Sequence, residues 1–188
     1  MGDGTLPDGR DYARVVQGGL PELEDAGARG WIIDLRRNDG GNMWPMLAGL
    51  TPLLGRADYG SFLDPVDGVR WLWRFDGARL FCPREDRPEA FYEPIDVPGG
   101  ALLKTPDAPV AVLCSGVTSS SGEAVLIAFL GSPRTRTFGS PTGGLATSNG
   151  THRLSDGSSL ILTNSLMADR LGRVYEGGVV PDEHMAIT

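Results

Sequence analysis

The chain has 188 residues, of which 40% are hydrophobic and 22% charged, the proportions of a globular domain with a sizeable core rather than a disordered tail. Its formal net charge is −7 and Lys104 is its one lysine, which argues against nucleic acid or an anionic membrane as the main partner. Cys82 and Cys114 make no disulfide framework, and with no charged-then-apolar leader or long apolar run the default setting is the cytoplasm, a secreted or periplasmic one staying open if a leader has been removed.

Met1–Arg10 is rich in Gly, Asp and Pro and is expected to be a flexible N-terminus, with residues 11–188 forming a single domain free of repeats and linkers. From Asp11 to Ala26, Tyr12, Val15, Val16, Leu20 and Leu23 fall at helical spacings; Gly18, Gly19 and Pro21 predict that this amphipathic helix is broken. Trp31–Leu35 reads as a buried strand, Asn38–Asn42 as a glycine turn and Met43–Leu54 as a helix. Between Leu53 and Gly100 turn signals surround short aromatic runs, Val69–Phe75 and Arg79–Phe81, which reads as hairpins beside the core. The alternating Trp71, Trp73 and Phe75 fit one buried face of such a hairpin better than a substrate groove.

Val110–Leu113, β-branched and preceded by Pro109, is a second buried strand, and helix-forming apolar residues resume over Glu123–Leu130. The intervening turn delivers Ser119, Ser120 and Ser121 to a helix N-terminus, where free N–H groups and the positive end of the dipole stabilise an oxyanion. This is the logic of a nucleophile elbow, although hydroxyl residues also serve there as plain helix caps. Two strand–turn–helix units predict a parallel sheet with catalytic loops at the carboxyl ends of its strands, so the strands ending at Leu35 and Leu113 should be parallel neighbours. Thr135–Gly139 is a further strand, Ser140–Gly150 a mobile loop of small residues, and His152–Leu154 with Ser159–Thr163 a hairpin turning at Asp156-Gly157. Gly172–Pro181 adds another strand and turn.

The ordered motifs resemble one family. Asp34-Leu-Arg-Arg-Asn-Asp-Gly-Gly-Asn is similar to the DLRxNxGG segment of the S41 serine peptidases, and Thr118-Ser-Ser-Ser-Gly-Glu after Val110-Ala-Val-Leu is similar to their nucleophile segment. Gly139-Ser-Pro-Thr-Gly-Gly resembles the GEPTxG loop, and Leu154-Ser-Asp-Gly-Ser-Ser-Leu and Gly178-Val-Val-Pro-Asp-Glu resemble the closing motifs. The resemblance implies a ClpP/crotonase-like α/β core, a mostly parallel sheet flanked by helices with additional β-hairpins. It also implies Ser120 as nucleophile, three residues before Glu123, the Ser121 N–H as one oxyanion donor, and Gly40 or Gly41 as the other, because a residue without Cβ allows close approach to a tetrahedral intermediate.

The general base departs from the family pattern. Tail-specific proteases of the family place a lysine where this chain has Leu145, whereas the tricorn-like branch uses an upstream histidine with a downstream glutamate. Glu176 matches that glutamate, but no histidine precedes His152. Three readings stay open: an N-terminal segment, a partner or a homo-oligomer supplies the histidine; His152 substitutes; or the site is inactive. His184 is a weaker substitute still. The cysteines and histidines lack ligand spacing, so no metal and no cofactor are expected. The functional expectations are a serine peptidase acting on a peptide or protein, or a repurposed module of the same fold binding a hydrophobic small molecule or a partner protein.

Overall fold

The computed structural model describes residues 9–92 and 102–185, so most of the stretch expected to be flexible, 1–10, lies outside the described residues. Helix α1 (Gly9–Asp25) runs unbroken through Gly18, Gly19 and Pro21. Packing overrides the local breakers: α1 lies against the helices that follow β1 (Trp31–Asp34). A β-carbon on Gly49 would sit 2.9 Å from the Val16 Cβ, and the Gln17 amide donates to the Ala48 carbonyl at 2.8 Å. The expected helix Met43–Leu54 is two pieces, α2 (Met43–Gly49) and α3 (Thr51–Leu54), joined at Leu50. Pro52 lies in the first turn of α3 and has no N–H with which to continue the first helix.

The aromatic middle of the chain forms β2 (Ala57–Leu63), β3 (Arg70–Phe75), β4 (Leu80–Pro83) and β5 (Phe91–Tyr92). After β6 (Val110–Cys114) and α4 (Ser121–Phe129) come β7 (Thr135–Gly139), β8 (Thr147–Arg153), β9 (Ser159–Asp169), β10 (Val174–Tyr175) and β11 (Glu183–His184). One sheet has the order β1-β6-β7-β11 and is parallel throughout; the other runs β10-β9-β2-β3-β4-β5, with β8 also on β9, and is antiparallel throughout. The mostly parallel sheet expected from the sequence is therefore corrected to four strands. The hairpins assemble into a second and larger sheet because β9 runs past the predicted hairpin to Asp169 and gathers β2, β8 and β10 along its length.

Helix α4 touches β6 of the parallel sheet and β2 and β9 of the antiparallel one. Enclosed on both sides, all nine of its residues are buried, which explains why it is apolar all round from Ala124 to Phe129 instead of amphipathic. Trp73, Tyr59, Phe129 and Leu126 are among the largest fully buried side chains of the described residues. The core thus holds one helix rigidly by its flanks and leaves its N-terminus at the rim. Only one face of β6 is sealed, at Val110, Val112 and Cys114, while Ile32 on the adjoining strand is 71% exposed. The two-sided burial of a doubly wound sheet is not found among the described residues.

Candidate active site

Strands β1 and β6 are parallel neighbours in the register Trp31↔Val110 to Asp34↔Leu113, so the turns that follow them emerge at one end of the sheet. Two side-chain bonds and one backbone bond stitch those turns together. Thr118 Oγ1 donates to the Leu35 carbonyl at 2.7 Å, Ser115 Oγ to the Arg36 carbonyl at 2.7 Å, and the Ser119 N–H to the Asn38 carbonyl at 3.1 Å. At the apex Ser120, the N-cap of α4, has φ 52 and ψ −118 and is the one non-glycine residue with positive φ among those described. A side chain held in that region costs about 1–3 kcal/mol, so the surrounding bonds must impose it. The glycine turn presses on Ser120: a β-carbon on Gly40 would lie 3.1 Å from the Ser120 Cβ, and Gly40 itself has φ 125. Only glycine satisfies both constraints.

The two glycines divide their work. The Gly40 N–H donates to Asn38 Oδ1 at 3.1 Å and so holds the turn. The Gly41 N–H has no hydrogen bond among the described residues, and the Gly41 carbonyl accepts from Ser121 Oγ at 2.7 Å, which fixes the orientation of that segment. Ser121 opens α4, where an N–H has no intrahelical acceptor. Gly41, Ser120 and Ser121 share a cavity of about 230 Å³ whose walls include Trp44, Phe62 and Met167, with the start of β8 along one side.

Behind the serine stands Glu123, which is completely buried. Its Oε2 accepts from the Ser120 N–H at 2.9 Å and the Leu145 N–H at 2.7 Å; its Oε1 accepts from Thr142 Oγ1 at 2.6 Å and the Gly144 N–H at 3.0 Å. The expected mobile loop Ser140–Gly150 is therefore corrected: its first half is pinned to this carboxylate, and its second half, from Thr147, is the strand β8. In the sequence Glu123 serves only to locate the nucleophile. The signal for its larger role was its spacing, since the third helical residue after an N-cap serine reaches back to the cap N–H.

The other predicted residues fall as follows. Glu176 is exposed and follows β10. Its neighbours belong to the same network: the Val179 N–H donates to Thr142 Oγ1 at 2.7 Å, and a β-carbon on Gly144 would lie 3.4 Å from the Gly177 carbonyl carbon. His152 is on the exposed outer part of the β8–β9 hairpin, opposite Leu160. It lies three residues beyond Asn149, the last residue of β8 in the cavity wall, about 10 Å along the strand at about 3.3 Å per residue, and is not part of that wall. His184, exposed, pairs with Gly139 in the parallel sheet. The Lys104 ammonium pairs with Asp25 at the end of α1, and Leu145 is 57% exposed with its N–H on Glu123. No hydrogen bond among the described residues joins a histidine or lysine to Ser120. On the entering turn, the bidentate Arg36 guanidinium (2.9 and 2.7 Å) holds the Asp34 carboxyl below its ordinary range. Among the described residues no three His, Cys, Asp or Glu side chains gather as metal ligands would.

A nisin-resistance protein of Lactococcus lactis subsp. lactis is 30% identical over 172 residues, covering 88% of this chain and 48% of its own length. The structure of a lipoprotein from Streptococcus agalactiae superposes with a TM-score of 0.69 at 26% identity, over 96% of this chain and 58% of that one. A photosystem II D1 C-terminal processing protease shares the fold, with a TM-score of 0.65 at 21% identity over 93% of this chain and 39% of its own. The chain thus spans about half the length of the relatives it matches. A strained serine at a helix mouth, a glycine turn pressed against it, and a match to the sequence model of peptidase family S41 over residues 9–185 agree: the chain belongs to peptidase family S41.

Proposed function

We propose that this chain carries the nucleophile and oxyanion hole of a serine peptidase whose general base comes from outside residues 1–188, from an adjoining segment or a partner. The observation that supports this reading above others is the backbone of Ser120, held at a φ that costs free energy by a network a plain helix cap would not need. In the proposed reaction Ser120 Oγ attacks the scissile carbonyl, losing its proton to the external base. The N–H groups of Ser121 and Gly41, the glycine not consumed by Asn38, receive the oxyanion, and the base returns the proton to the leaving amine. Glu176 would orient that base, since its segment is tied through Thr142 and Glu123 to the serine. The apolar walls Trp44, Phe62 and Met167 favour a peptide that presents an apolar side chain beside the cleaved bond. A relative described as a lipoprotein and another described as a nisin-resistance protein support a peptide substrate met outside the cytoplasm, the setting the sequence left open.

The alternative of a repurposed, non-catalytic module is favoured by one observation, the exposed Leu145 in place of a family lysine with no histidine bonded to Ser120. A fluorescent serine-directed phosphonate separates the two. Under the peptidase reading residues 1–188 label slowly, Ser120→Ala abolishes the labelling, and supplying the base-bearing segment raises the rate by about two to four orders of magnitude, the usual worth of general-base catalysis. Failure of any longer form to label or to hydrolyse peptides would leave the module.

A further inference from the structure

The antiparallel sheet has a second face, turned away from α4. Its core face carries Trp73, Phe75 and Phe62, and the alternation of a strand sends Arg70, Leu72 and Arg74 the other way. Ser61 stands directly opposite Leu72 in the register, so it lies between those arginines on the adjacent strand. Together with the turn after β9 and the loop after β4 they line a cavity of about 530 Å³.

Most charge in that lining is already matched. Asp58 takes Arg74 in a bidentate pair at 2.6 and 2.8 Å. Arg84 is held by Asp86 and Asp67, and the Asp169 carboxylate accepts the N–H groups of Leu171 and Arg173 and the Tyr175 hydroxyl. Three groups are left over. Ser61 is 2% exposed and its buried hydroxyl has no hydrogen-bond partner. Arg170 Nε is likewise buried without a partner, although its Nη2 reaches the Ala128 carbonyl at 2.6 Å. The Arg70 side chain meets the Gly172 carbonyl at 3.4 Å and, among the described residues, pairs with no carboxylate; Glu85, whose N–H donates to the Arg70 carbonyl at 2.8 Å, is exposed and in no ion pair among them. A buried donor left unmade costs more than a typical hydrogen bond contributes, so the two in this cavity, Ser61 Oγ and Arg170 Nε, need an acceptor, and the half-buried Arg70 beside them adds an unneutralised positive charge.

From this we infer a binding site for a small oxyanion on the outer face of the antiparallel sheet, in which the Arg70 guanidinium and the Ser61 hydroxyl grip two oxygens and Arg170 Nε supplies a third donor. Delocalised negative charge on two or more oxygens suits a planar guanidinium fork, which fits phosphate or a short carboxylate. The site is separated from Ser120 by the thickness of the sheet, because Phe62 faces the serine's cavity while its neighbour Ser61 faces this one.

Thermal unfolding of residues 1–188, titrated with inorganic phosphate and separately with succinate against sodium chloride at matched ionic strength, tests the inference. A saturable rise in Tm is expected with at least one of the two, and the stronger identifies the geometry preferred. Arg70→Gln should weaken that response by at least about tenfold, the worth of one charge-assisted bond. Ser61→Ala should do two opposite things at once: raise the Tm without anion, since the orphan hydroxyl is gone, and reduce the rise with it. Arg87→Gln, exposed and outside the lining, is the control expected to behave as wild type. Stabilisation no greater than chloride gives, or a response that survives Arg70→Gln undiminished, would overturn the inference.

Discussion

Replacing Glu123 by glutamine changes one buried atom and tests whether the carboxylate builds the site. The native side chain accepts four hydrogen bonds, two on each oxygen, at 2.6 to 3.0 Å. An amide has acceptor capacity on one end only, so whichever way it is turned its NH₂ confronts two donors, either Thr142 with Gly144 or Ser120 with Leu145. Bonds to a charged acceptor are worth about 1.5–3 kcal/mol each, and losing two, with partial relaxation of the loop, predicts about 3 kcal/mol of destabilisation. Because one of the pairs contains the Ser120 N–H, the elbow itself should slacken, and phosphonate labelling should fall more than the loss of folded protein explains. Urea unfolding gives the first quantity, and labelling under conditions where the variant is fully folded gives the second. A loss below about 1 kcal/mol, or unchanged labelling in the folded variant, would show that the carboxylate is only a helix cap.

Ser120→Ala should change stability by less than about 1 kcal/mol while abolishing labelling, and Ser120→Gly should be the more stable of the two by about 1 kcal/mol, because glycine relieves the φ of 52. Gly40→Ala is expected to cost more than about 2 kcal/mol and to stop labelling, since its β-carbon arrives 3.1 Å from the Ser120 Cβ on a backbone that disfavours it; wild-type labelling would refute the close approach. His152→Ala should leave labelling and Tm unaltered; a loss of labelling would mean that the hairpin brings this ring to the serine. The Glu24 carboxyl is held below its ordinary value of 4.5, first by the Thr105 hydroxyl and then by the Lys104 N–H. Its folded pKa is the lower one, so its contribution is present above that ordinary value and is lost as pH falls through the folded pKa; Glu24→Gln should flatten the acid limb of a stability–pH curve below about pH 4.5. Burial raises the Cys114 thiol to about 11, so alkylation at pH 8 should be slow unless the chain unfolds.

Local chemistry wrote much of this protein into its sequence. Small hydroxyl residues between a β-branched strand and a helix define an elbow, and a glycine pair after the strand at Trp31 defines the turn that meets it, because both features depend on a few adjacent residues and, at the glycine pair, on φ values that favour glycine. The parallel pairing of those strands was legible for the same reason: a strand–helix unit returns beside its predecessor. The positions of Ser120, Ser121, Gly40 and Gly41 in one cluster follow from it. What depended on distant contacts was not legible. The unbroken α1 needs α2 beneath it, the hydrogen-bonded Thr142–Leu145 loop needs a carboxylate some twenty residues earlier, and the larger antiparallel sheet needs β9 to hold β2, β8 and β10 at once. The cavity with Arg70, Arg170 and Ser61 arises wholly from tertiary structure, since residues that share no motif meet only when three strands settle in register. Sequence spacing fixes backbone-level features because they are local, whereas burial, shared carboxylates and unmatched donors belong to the packed whole.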